Sequence, residues 1–126
     1  MSSDPVSPEI EYRPPPETFY WYKCEVIRVI DGDSVWLDID LGFGVRMEKN
    51  CRLRGIDAPE MRGLERPDGE RSKAYLEWLL SEGDHQLFLK SYKDRTGKYG
   101  RYLVDLYQDG YCINDIMVAE DYADRY

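Results

Sequence analysis

Val35, Leu37, Ile39 and Leu41 alternate with Trp36, Asp38 and Asp40, a period of two that predicts a half-buried strand. The run before it, Cys24 to Ile30, is rich in β-branched residues, and Asp31-Gly32-Asp33 between the two runs predicts a hairpin or tight bend. A second turn at Gly42-Phe43-Gly44 leads to a third strand expected around Lys49 to Arg54, with Arg52 and Arg54 on one face and Cys51 and Leu53 on the other. Gly55 ends that strand, and Pro59, Gly63 and Pro67 predict an irregular stretch. Ala74, Tyr75, Trp78 and Leu79 then recur at helical spacing, so a helix is expected from near Gly69 to a stop at Gly83. Strands resume over Leu87 to Ser91 and Arg101 to Tyr107, and Asp109-Gly110 turns the chain. A last short helix is expected from Asn114 to about Glu120, with Asn114 or Asp115 at its cap. Three strands, a helix, two strands and a helix is the order of an α+β fold built on a five-stranded Greek-key β-barrel of the OB type, with two or three short flanking helices.

A chain of 126 residues suits a single core. The boundary is set by proline: Pro5, Pro8, Pro14, Pro15 and Pro16 crowd the first residues, so 1–18 is expected to be an extended tail and 19–126 the folded domain. The tail reads as a passive arm or as a ligand for a partner protein. No apolar run approaches the roughly 20 residues that cross a bilayer, and the first residues hold no apolar signal region. An intracellular, cytoplasmic monomer without a membrane partner is therefore expected. Cys24, Cys51 and Cys112 have no C-x-x-C spacing, and His85 is the lone histidine, so the cysteines read as small apolar residues rather than zinc ligands. The 17 basic and 25 acidic residues leave a charge of −8, which argues against a nucleic-acid partner. The distribution reverses that reading. Residues 86–104 hold five cations against one acid, interleaved with Tyr92, Tyr99 and Tyr102, a composition suited to a groove that tracks a single strand.

Three clusters carry candidate chemistry: Asp31-Gly32-Asp33-Ser34, the run from Arg52 to Glu60, and Lys98-Tyr99-Gly100-Arg101. Each has an ordinary explanation as a hairpin turn, a capping box between Asp57 and Glu60, or a charged loop. Together they supply the parts of a metal-assisted phosphodiester hydrolase. Asp33 and Asp57 offer the carboxylates, and a backbone carbonyl near Ala58 a further oxygen, for a hard divalent cation. Glu60, three residues beyond Asp57, is placed to take a proton from water. Arginine suits the charge that gathers on phosphoryl oxygens; Arg101 is one candidate, and strand parity leaves Arg52 and Arg54 as alternatives for the other.

In order and spacing, these three clusters resemble the staphylococcal-nuclease-like (thermonuclease) family, over about Lys23 to Val118. The resemblance implies an OB-fold barrel and calcium-dependent (Ca2+) hydrolysis of DNA or RNA to products bearing a 3′-phosphate, with a single-stranded substrate favoured. It implies that Asp33, Asp57 and the Ala58 carbonyl hold calcium, that Glu60 is the general base, and that Arg52 rather than Arg54 pairs with Arg101 on the phosphate. Lys98 and Tyr99 fall where the family contacts the nucleotide's terminal phosphate. Ala58 stands where the type enzyme has threonine. The chain given stops at Tyr126, short of the family's base-stacking tyrosines, a role left to Tyr122 or Tyr126. The alternative is a barrel of the same fold that binds nucleic acid or protein without catalysis.

Overall fold

The alternation of apolar and polar residues is realised as a barrel whose inward rows are mainly apolar, with Lys49 and Ser91 as polar members beside Cys51 and Leu89. The computed structural model describes residues 20–82, 86–96 (side chains to 92) and 101–126. The tail at 1–18, the helix stop at Gly83, and Lys98 and Tyr99 lie outside the described residues. Strand β1 (Tyr20–Asp31) pairs antiparallel with β2 (Ser34–Gly42), and β2 with β3 (Val45–Leu53). On the other side of β1 lie β5 (Leu87–Thr96) and then β6 (Tyr102–Gln108). A parallel pairing of Cys51, Leu53 and Arg52 with Tyr102, Val104 and Leu103 joins β3 to β6 and closes five strands into a mixed barrel. This is the OB-type α+β architecture expected from the order of elements.

Three short strands add to it: β4 (Ile56–Asp57), β7 (Tyr111–Cys112), which extends the sheet beside β6, and β8 (Asp124–Arg125), which pairs with β4. A 3-10 turn (Gly63–Glu65) runs into helix α1 (Arg66–Ser81), and α2 (Ile113–Ala119) follows β7. Among the described residues, no helix is long and apolar enough to cross a membrane.

Val35, Leu37 and Ile39 point inward with Cys24, Cys51, Leu53, Leu89, Val104 and Leu106, all buried. Cys24 and Cys51 are free thiols packed in this core, and burial pushes each up to about 12, so neither serves as a thiolate ligand or nucleophile.

Three sequence expectations for the helices fail. Helix α1 begins at Arg66 rather than near Gly69, because Pro67 occupies its first turn, where the missing N–H costs nothing. Its buried face is Gly69, Ser72 and Leu76, while Ala74 and Trp78 from the apparent apolar stripe are exposed. The anticipated caps of α2 are also absent: Cys112 stands at the N-cap, and Asn114 lies inside the helix with its side chain buried. The Asn114 amide donates to the carbonyls of Arg54 (2.9 Å) and Val104 (3.1 Å) and to Asp105 Oδ1 (3.3 Å), and its oxygen accepts from the Leu106 N–H (3.1 Å). It thus satisfies backbone groups of two barrel strands that water does not reach. The Val104 carbonyl also accepts from the Arg54 N–H at 2.9 Å, so Asn114→Ala is expected to cost about 2–3 kcal/mol mainly through the Leu106 N–H and the Arg54 carbonyl, which lose this partner, a fall in melting temperature of roughly 10 °C, measurable by thermal denaturation.

Candidate active site

The β1–β2 hairpin, the β3–β4 corner, the loop after β4 and the start of β6 converge on one open cleft of about 320 Å³. Asp31, Asp33, Arg52, Asp57, Ala58, Glu60, Arg101 and Tyr126 are among its lining residues. The hairpin turns on Gly32-Asp33, with Asp31 opposite Ser34, and the Asp33 carbonyl accepts from the Leu53 N–H at 2.8 Å, which ties the turn to β3. The Asp33 carboxylate is buried: Oδ2 accepts from Arg52 Nη1 (3.0 Å) and from the Ala58 N–H (2.9 Å), and Oδ1 from the Ser34 hydroxyl (3.2 Å).

The two hairpin acids titrate in opposite directions. Burial raises Asp33, but hydrogen bonds from Asp31 and the Ala58 N–H, with the Arg52 guanidinium, outweigh it and hold Asp33 below the usual carboxylate range. Burial first, and then the hydrogen-bonded Asp33 carboxylate beside it, push Asp31 up to about 6. Asp31 is a cleft residue that the sequence marks only as part of a turn, its one signal being the two-residue spacing to Asp33.

Arg52 also donates to the Ile56 carbonyl (3.0 Å), lies 3.6 Å from Asp57 Oδ1, and stands 5.5 Å from the centre of the Tyr126 ring. Arg54, expected as the last residue of the third strand, lies in the turn just past β3, and pairs instead with Asp105 (3.4 Å) and stacks over Tyr92 at 4.2 Å. The geometry therefore brings Arg52 and not Arg54 to the carboxylates. Arg101 Nη1 donates to the Ser34 hydroxyl at 2.5 Å, which links β6 to the hairpin. Tyr126 reaches the cleft, whereas Tyr122 stacks on Tyr75 with ring centres 4.0 Å apart. Lys98 and Tyr99 remain outside the described residues.

The ordinary explanation of Asp57 and Glu60, a capping box, does not hold, since no helix starts at Asp57. The Glu60 N–H is capped by Glu65 Oε1 at 2.8 Å, and the Glu60 carboxylate accepts from Arg62 at 3.3 Å in the open. What fixes this loop is helix α1. A Cβ at Gly69 would lie 2.7 Å from the Glu60 carbonyl carbon and closer still to its oxygen, and a Cβ at Gly32 would lie 2.7 Å from both Ala58 and Ser72. Two glycines thus let the helix press against the hairpin and the Glu60 loop at once. Ser72 completes the joint with a short hydrogen bond to the Tyr122 carbonyl.

Among the described residues, no group of three or more His, Cys, Asp or Glu side chains forms a ready metal cluster. The donor set of the cleft nonetheless fits a hard cation in kind, since Asp31, Asp33, Asp57 and Glu60 offer carboxylate oxygen, and neither cysteine nor histidine is among its lining residues, where the sulfur is the Met61 thioether.

A closed mixed barrel with an acidic, doubly arginine-bearing cleft beside its first hairpin belongs to the class of nuclease-type or nucleic-acid-binding OB domains. The family model described as "Staphylococcal nuclease homologue" matches residues 50–126, and the chain belongs to that family. The match contains Arg52, Asp57, Glu60 and Arg101, while the hairpin acids lie ahead of it. No curated protein matches the chain.

Proposed function

We propose that this protein is a calcium-dependent nuclease that hydrolyses phosphodiester bonds of DNA or RNA, preferring single strands and leaving 3′-phosphate ends. The observation that supports it is the gathering of Asp33, Asp57, Glu60, Arg52 and Arg101 in one cleft. Asp33, Asp57 and the Ala58 carbonyl are the groups that would hold calcium, which when bound supplies Lewis acidity toward the phosphoryl oxygen and the attacking water. Glu60 leaves its exposed contact with Arg62 and takes a proton from the water as its oxygen attacks phosphorus. Arg52 and Arg101 clamp the equatorial oxygens as their charge grows, a stabilisation strongest in the transition state. The bond from phosphorus to the 5′-oxygen breaks, that oxygen is protonated from solvent, and the phosphate stays on the 3′ side.

A second reading, a binding module without turnover, draws on one feature: the Arg52 guanidinium is committed to Asp33 and Asp57. Incubation with single-stranded DNA, duplex DNA and RNA separates the two. Cleavage with calcium, lost on chelation, and products that ligate only after 3′-dephosphorylation are expected. Binding without cleavage under every condition selects the module.

A further inference from the structure

The outward row of the barrel between β1, β5 and β6 carries a feature the cleft does not use. Because Cys24, Leu89 and Val104 point inward, Trp21, Lys90, Tyr92 and Tyr107 point out. With Arg54 they form a continuous row of rings and cations that ends in a pair of rings. Arg54 lies 4.2 Å from the Tyr92 ring centre, Lys90 Nζ lies 5.7 Å from Tyr92 and 5.7 Å from Trp21, and the Trp21 and Tyr107 rings are 5.2 Å apart. Trp21 is 52% exposed, a large apolar area to leave in water. Among the described residues of the row, the carboxylate is Asp105, which is buried and holds Arg54, Tyr92 and Asn114, and the row carries the cations Arg54 and Lys90 in a molecule of charge −8.

The row is continuous with the candidate active site. Arg54, Tyr92 and Leu103 line a second cleft of about 370 Å³ that shares Arg52 and Tyr126 with the acidic one. We infer that the row Arg54–Tyr92–Lys90–Trp21–Tyr107 is a binding track for single-stranded nucleic acid that holds the strand flanking the segment in the cleft. Unstacked bases lie on the rings, and Lys90 meets a phosphate of the flank. Ring faces accept any base, so the track favours single strands over duplex without reading sequence. This inference rests on the nucleic-acid reading above, not on turnover.

The test uses the full chain carrying Glu60→Gln, so that substrate survives, with calcium present and binding read by anisotropy of fluorescein-labelled dT20 and dT2. Adding Trp21→Ala and Lys90→Ala is expected to weaken dT20 binding by about tenfold or more and leave dT2 unchanged. The slope of log affinity against log salt should shrink by about 0.7, the share of one phosphate contact on a single strand. Trp21→Phe, which keeps a ring, should bind dT20 within about twofold of its parent. Equal dT20 affinity and salt slope with and without the two alanines, in protein that circular dichroism shows to be folded, overturns the track and assigns the patch to a protein partner. Weakened dT20 binding in a chain whose Glu60 parent cleaves nothing supports the track and removes only the nuclease assignment.

Discussion

Replacing Glu60 by glutamine is expected to lower kcat on single-stranded DNA by about 10²–10⁴-fold, the usual worth of a positioned general base, while the fold is kept. Glutamine matches the shape of glutamate, so the contact with Arg62 survives as a neutral hydrogen bond. The parent pair is exposed, with 61% of the Glu60 side chain in solvent, so the stability change should stay within about 0.5 kcal/mol. Single-turnover cleavage at saturating calcium, beside a melting curve, separates the two quantities. A variant that cuts as fast as its parent would remove Glu60 from the base role.

Arg52→Ala should fail in a different way. Asp33 keeps only 9% of its side chain in solvent and Arg52 13%, so removing the guanidinium strands a buried carboxylate. Breaking such a pair typically costs 3–5 kcal/mol, about a third of a typical domain's stability. Loss of a phosphate-clamping donor is worth a further 10²–10³-fold in kcat. The two losses can be uncoupled. Adding Asp33→Asn to Arg52→Ala removes the stranded charge, so urea denaturation of the double variant should recover part of the lost stability while activity remains absent. No recovery would show that Arg52 acts on the fold mainly through the Ile56 carbonyl or Asp57.

The barrel was legible because alternation is a local signal: Val35 to Leu41 names its own buried face, and Asp31-Gly32-Asp33 its own turn. Parity applies to Arg52, inside β3, but not to Arg54, which lies one residue past the end of the strand. What parity could not settle was which arginine meets the carboxylates, since that depends on Asp105 and Tyr92, remote in sequence, drawing Arg54 away. Helix α1 misled for a related reason. Its inner face is chosen by how closely it approaches the Glu60 loop and the hairpin, so the smallest residues, Gly69 and Ser72, turn inward and Trp78 is left outside. Asn114 reads as a helix cap in one dimension, and only the adjacency of β3, β6 and α2 turns it into a clasp for their backbone. The β4 and β8 strands are two residues each, below the length at which any period is visible.

The β4–β8 ladder sets Asp57 directly opposite Asp124, and like charges in that position repel. Asp33 is anchored in the closed barrel, but its partner across the cleft rides on two residue pairs held by buried Ile56 and by the Tyr126 N–H on the Gly55 carbonyl at 2.9 Å. Such a ladder frays at little cost in free energy. Positive charge entering the cleft offsets the repulsion and so favours the paired form, and by linkage the paired form binds that charge more tightly. Pairing of β8 with β4 is thereby linked to charge in the cleft: a change that loosens β8 is expected to lower the apparent affinity by the fraction of molecules left unpaired.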